Sequence, residues 1–74
     1  MAATAFPETI GVRLEAHRLR HRAARMEFVV AHLRERADAR RWRQEPVPAP
    51  LGHAIRGFED ELRAVRRRLA ELGA

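Results

Sequence analysis

The chain contains no cysteine, no serine and no lysine, and each absence removes a class of chemistry. Without cysteine, neither a disulfide framework nor a thiolate zinc site can reinforce a small core. With serine missing too, side-chain nucleophiles of the hydroxyl and thiol kind reduce to Thr4 and Thr9. No glycine-rich phosphate loop is present. His32 and His53 stand alone, with no nucleophile or paired carboxylate at a useful spacing, so the sequence points away from an enzyme. The longest apolar run is "FVVA" over residues 28–31, far short of the roughly 20 residues that span a bilayer. The opening "MAATAFPETIG" has no basic stretch followed by an apolar one, so no secretory leader is expected and the chain reads as cytoplasmic. No stretch carries a cofactor motif or a motif specific to one family.

What the chain does have is charge and periodicity. Its 74 residues make one domain at most, and chains this short bury too little surface for a core to hold them strongly. Fifteen arginines against ten acidic residues give a net charge of +5. The acidic residues are interspersed among the arginines, so local pairing competes with any anionic partner.

Proline and glycine divide the sequence in two. Pro7 is compatible with a first helical turn, and no further proline occurs before "EPVPAP", residues 45–50. Alternating prolines cannot continue a helix. Gly73 follows Leu72 where a helix-ending glycine belongs. The expected organisation is all-α: an N-terminal arm over 1–7, a long helix over about 8–44, a connector over 45–50 and a second helix over about 51–72.

The second helix carries Leu51, Ile55, Phe58, Leu62, Val65, Leu69 and Leu72 at alternating steps of four and three, an unbroken coiled-coil seam. The first helix carries a leaner seam of Val12, Ala16, Leu19, Ala23, Met26, Val30, Leu33 and Ala37. Folding the two into an antiparallel hairpin sets small residues against large ones. The expected layers are Ala37–Phe58, Leu33–Leu62, Val30–Val65, Met26–Leu69 and Ala23–Leu72, with Gln44 opposite Leu51 at the turn. In this register Glu27 lies near Arg66, Arg34 near Glu59 and Arg36 near Glu61, all opposite in sign.

This hairpin leaves residues 8–22 overhanging, roughly 22 Å of helix. The overhang holds Ile10, Val12, Leu14, Ala16 and Leu19. A second apolar row, Ile10, Leu14, His17, His21, Ala24, Phe28 and Ala31, recurs at helical spacing away from the seam, with Trp42 further along. A helix that is apolar on two faces belongs between neighbours. The expectation is a homodimer closing two hairpins into a four-helix bundle, with Ile10, Leu14, His17, His21, Phe28 and Trp42 as its interface or as the contact for a separate protein partner.

His17 and His21 lie one turn apart in "AHRLRHRAAR", and doubled by a two-fold axis they would supply four metal ligands. The surrounding Arg18, Arg20, Arg22 and Arg25 disfavour a cation, and no carboxylate stands at a spacing that would orient the rings. Interface histidines are therefore the expectation, with no metal. Two dense arginine groups, Arg40, Arg41 and Arg43 around Trp42 and Arg66, Arg67 and Arg68, raise the alternative of sequence-tolerant nucleic-acid binding. Membrane-surface binding is not expected, because the better apolar stripe is used by the hairpin. The functional expectation is a small non-enzymatic interaction module: an adaptor, regulatory or accessory subunit.

Overall fold

A computed structural model describes the backbone of residues 2–73 and the side chains of residues 10–73. It contains two helices, α1 (Ala2–Trp42) and α2 (Ala49–Glu71), packed as a hairpin. No strand occurs among the described residues.

α1 starts six residues earlier than expected, so the arm over 1–7 is helical from its second residue. Ala2, Ala3 and Ala5 are strong helix formers and oppose the cost of Pro7, which lies past the first turn and lacks the N–H that would donate to the Ala3 carbonyl. The side chains before Ile10 lie outside the described residues.

The end of α1 is set by Gln44 rather than by the prolines. Gln44 adopts the left-handed conformation, with φ 57°. The Glu45 N–H donates to the Arg40 carbonyl at 2.9 Å, and the Gln44 N–H donates to the Arg41 carbonyl at 3.0 Å. This pair of bonds is a Schellman motif, which satisfies carbonyls that the last turn would otherwise leave unpaired. An apolar contact usually closes such a motif; here Arg40 and Glu45 form an ion pair at 3.4 Å in the same place. α2 begins in the proline segment, with Pro48 as its cap residue and Pro50 in its first turn. It ends as expected, with Gly73 at φ 73° and its N–H donating to the Ala70 carbonyl at 3.1 Å.

Every buried residue among those described belongs to the expected seams: Ala16, Ala23, Met26, Val30 and Ala37 from α1, Leu62 and Val65 from α2. The register, however, differs by one heptad. The core cluster joins Ala23 and Met26 to Leu62 and Val65, with Leu19, Phe58 and Leu69 packed around it. On one flank Glu27 bonds Arg66 at 2.6 Å and Arg34 bonds Glu59. On the other, Glu15 bonds Arg68 at 2.8 Å and Arg22 bonds Glu61 at 3.3 Å. The seam midway between these flanks has the layers Ala16–Leu72, Leu19–Leu69, Ala23–Val65, Met26–Leu62, Val30–Phe58, Leu33–Ile55 and Ala37–Leu51.

Packing and charge both favour the shift. Sliding α2 by seven residues keeps its apolar side chains on the seam, but the expected register would face Leu51 with Gln44 and Ile55 with Arg40, whereas the observed one faces them with Ala37 and Leu33. With the flank geometry seen in the structure, the expected register would set Arg34 rather than Glu27 against Arg66, and Arg22 against Arg68, so the pairs expected from sequence do not belong to that register. The observed one makes all four flanking pairs opposite in sign. Of the three pairs expected, Glu27–Arg66 and Arg34–Glu59 form, whereas Glu61 pairs with Arg22 instead of Arg36. α1 consequently runs about a turn past the start of α2 before Gln44 reverses the chain, and Leu51 lies opposite Ala37 rather than Gln44.

Candidate functional site

The hairpin extends 65 × 15 × 14 Å, a rod with no room for an enclosed chamber. A shallow groove on one flank is lined by Val30, Ala31 and Leu62 and bounded by the Glu27–Arg66 and Arg34–Glu59 ion pairs. These charges already satisfy one another, and the groove contains no histidine or hydroxyl to transfer a proton.

The second apolar row is where the chain leaves apolar surface unused. Ile10, Leu14, His17, His21, Ala24, Phe28 and Ala31 follow each other at steps of four and three and are all exposed. From Ile10 to Phe28 they run along the outer side of α1, and Ala31, at the end of the row, also reaches the edge of the flank groove. Phe28 is 77% exposed, among the largest apolar side chains left to water. Trp42 is 88% exposed on the turn of α1 that projects beyond α2. Five of the six expected interface residues thus lie on one continuous stripe, and Trp42 stands apart from it near the turn.

The overhang is shorter in the seam than expected, because the shifted register carries α2 back to Ala16. The uncovered part of α1 is Ala2 to Glu15, roughly 21 Å of helix. Val12, the last seam residue beyond the cover, is 40% exposed. Ala16 and Leu19, expected in the overhang, are covered by α2.

His17 and His21 meet edge to face, with ring centroids 5.1 Å apart, and both are exposed. Among the described residues no group of three or more histidine and carboxylate side chains is placed to hold a metal ion. The four arginines around the pair keep the local field positive.

The two arginine groups weighed as nucleic-acid contacts do not form one surface. Arg66 and Arg68 are held against Glu27 and Glu15, toward the open end. Arg40, Arg41 and Arg43 lie at the turn, roughly 20 Å or more farther along α1. Arg40 is paired with Glu45, Arg41 with Asp38 at 2.8 Å, and Arg68 also with Glu71 at 3.2 Å. Only Arg43 and Arg67 of the six make no ion pair with the described residues.

Unpaired arginine is concentrated elsewhere, beside the apolar stripe. Between Glu15 and Glu27 the chain has no acidic residue. Arg13 and Arg20 border the stripe on one side, Arg18 and Arg25 on the other. None of the four makes an ion pair with the described residues. The sequence shows the row of Arg13, Arg20, Arg34 and Arg41 at steps of seven, interrupted by Glu27, as a candidate phosphate-binding surface; the acid-free interval in "AHRLRHRAAR" is the signal that adds Arg18 and Arg25 on the opposite side of the stripe.

No helix among the described residues is long and apolar enough to cross a membrane. Comparison with known proteins finds no match: no protein family, no curated protein and no solved structure is similar to this chain.

Proposed function

We propose that the chain is a small non-enzymatic interaction module that works by presenting the outer face of α1 to a further helix. The observation that carries this reading is the second seam, seven residues in coiled-coil spacing with all seven side chains in water. An exposed apolar face of this length is a binding surface in waiting. In this reading α2 serves as a splint: it covers the first seam and holds α1 straight, so a partner meets a pre-ordered helix and the ordering cost of binding is small. Phe28 and Leu14 are the large side chains that would fill a partner's hollows, and Ala24 and Ala31 are the hollows that would receive the partner's side chains.

Either a second copy, completing a four-helix bundle, or a different protein would cover this face. Both give the same first test, a photo-reactive residue placed at Phe28 or, as a control, at Asp60 on the outer side of α2. Cross-linked adducts in expressing cells are expected from position 28 and not from position 60. Adducts from neither position, or from both equally, would remove the outer face of α1 as the interaction surface.

A further inference from the structure

We infer that the occupant of the α1 stripe is an acidic amphipathic helix of another protein, carrying apolar residues in steps of three and four between two rows of Asp or Glu. The inference rests on the reading of the stripe as an interaction surface, and it is the charge beside the stripe that identifies the partner.

The borders of a helical seam decide what can lie on it, because side chains there face the same positions of the partner. Within the hairpin four opposite-sign pairs span those borders: Glu15–Arg68, Arg22–Glu61, Glu27–Arg66 and Arg34–Glu59 tie α1 to α2. On the outer seam they are not matched. Arg13 and Arg20 stand on one side and Arg18 and Arg25 on the other, and the acidic Glu27 on this border is already held by Arg66. His17 and His21 occupy the centre, where their ring N–H groups offer hydrogen bonds to a partner's carboxylates.

A second copy fits this pattern badly. Two α1 helices laid antiparallel, with Ile10 on Phe28 and Leu14 on Ala24, set Arg13 against Arg20 and Arg18 against Arg25. A one-heptad slide brings Arg13 to Glu27 but leaves Arg20 and Arg25 each facing its own copy. A parallel arrangement sets one arginine row along the other. Each choice places like charges across the interface, which selects against self-pairing. A helix bordered by carboxylates reverses every one of these signs, and steering by the +5 chain would speed its arrival. The stripe from Ile10 to Ala31 runs roughly 32 Å, so it suits a partner helix of about six turns. A phosphate backbone would satisfy the arginines while leaving Ile10, Leu14 and Phe28 in water, and so uses only half of the surface.

The test uses fluorescence anisotropy of labelled synthetic helices with the intact chain at low and moderate salt. One helix has a leucine seam with glutamate borders, the second the same seam with lysine borders, and the third glutamate borders with glutamine in place of leucine. Random-sequence duplex DNA and phosphatidylglycerol vesicles are titrated alongside, and sedimentation reports self-association. The expected result is at least tenfold tighter binding of the first helix than of the second or third. It should weaken with salt and invert toward the lysine helix in the variant Arg18→Glu/Arg25→Glu. Both residues are exposed and clear of α2, so circular dichroism of that variant should match the native chain.

Equal binding of the first two helices would overturn the acidic partner while leaving the stripe as an apolar dock. Self-association without binding of any helix would assign the stripe to a second copy and overturn it likewise. Tighter binding of DNA or vesicles than of the first helix, or equal binding of the third, would reduce the arginines to a general anion surface. Absence of all binding, with a Phe28→Glu variant identical to the native chain in every readout, would remove both the acidic partner and the interaction surface beneath it.

Discussion

Glu15 accepts hydrogen bonds from two nitrogens of Arg68, at 2.8 and 3.3 Å, at the point where α2 runs out and α1 continues alone. The pair closes the open end of the hairpin. It also borders the last layer, Ala16–Leu72, which has no further cover beyond it.

That bond makes the open end sensitive to acid. The hydrogen bond from Arg68 holds the Glu15 carboxyl below its ordinary value of 4.5. A lowered carboxyl favours the folded state above the unfolded value, and its contribution disappears as pH falls from about 4.5 through the lowered folded value. Thermal melts of the native chain and Glu15→Gln should therefore differ at pH 7 and approach each other as the pH is lowered below 4.5. A constant difference across that range would show that the carboxylate makes no contribution of this kind.

Engineered thiols report the register directly, since the chain has no cysteine to interfere. Leu33→Cys/Ile55→Cys places both sulfurs in one observed layer and should cross-link within the chain under mild oxidation. Leu33→Cys/Leu62→Cys, facing each other only in the register one heptad away, should remain reduced. The opposite pattern in non-reducing electrophoresis would restore the register with Leu33 opposite Leu62.

Gln44→Gly should stabilise the hairpin. A left-handed residue with a side chain costs roughly 1–2 kcal/mol that glycine avoids, and glycine gives back part of this through its freer unfolded chain. The expected net gain is about 0.5–1 kcal/mol, a rise of several degrees in melting temperature for a domain of this size. An unchanged or lower melting temperature would show that Gln44 contributes something beyond backbone shape.

Leu62 and Phe28 should respond in opposite ways. Leu62 is buried in the core cluster, and Leu62→Ala should cost about 2–3 kcal/mol, while Leu62→Asp should abolish the cooperative melt. Phe28 packs against nothing in the hairpin, so Phe28→Glu should leave stability within about 0.5 kcal/mol. A large loss at position 28, measured by denaturant titration, would mean that the native chain already carries a partner on that face.

The two helices and their buried sides were legible because apolar spacing encodes them locally: all seven buried residues among those described lie on the two seams read from the sequence. The register was not legible from periodicity alone, since a heptad pattern survives a heptad slide. The missing information lies in the number of apolar layers that face each other and in the four bordering charge pairs compared together. The stop at Trp42 was displaced for a different reason. The prolines marked where a helix cannot continue, while Gln44, a residue with no strong turn preference, takes the left-handed position that ends it. For the candidate site, the row from Ile10 to Ala31 was readable, but its full exposure depends on where α2 lies.

The slenderness of the hairpin will shape how it behaves in solution. A globular chain of this length has a radius of gyration of about 11 Å, whereas this rod has 17.8 Å. Such a particle drags more water and enters fewer pores than its 8.5 kDa mass would suggest. A single copy will leave a gel-filtration column at the volume of a sphere of greater mass. Light scattering, which weighs particles regardless of shape, is therefore the measurement that distinguishes one rod from two.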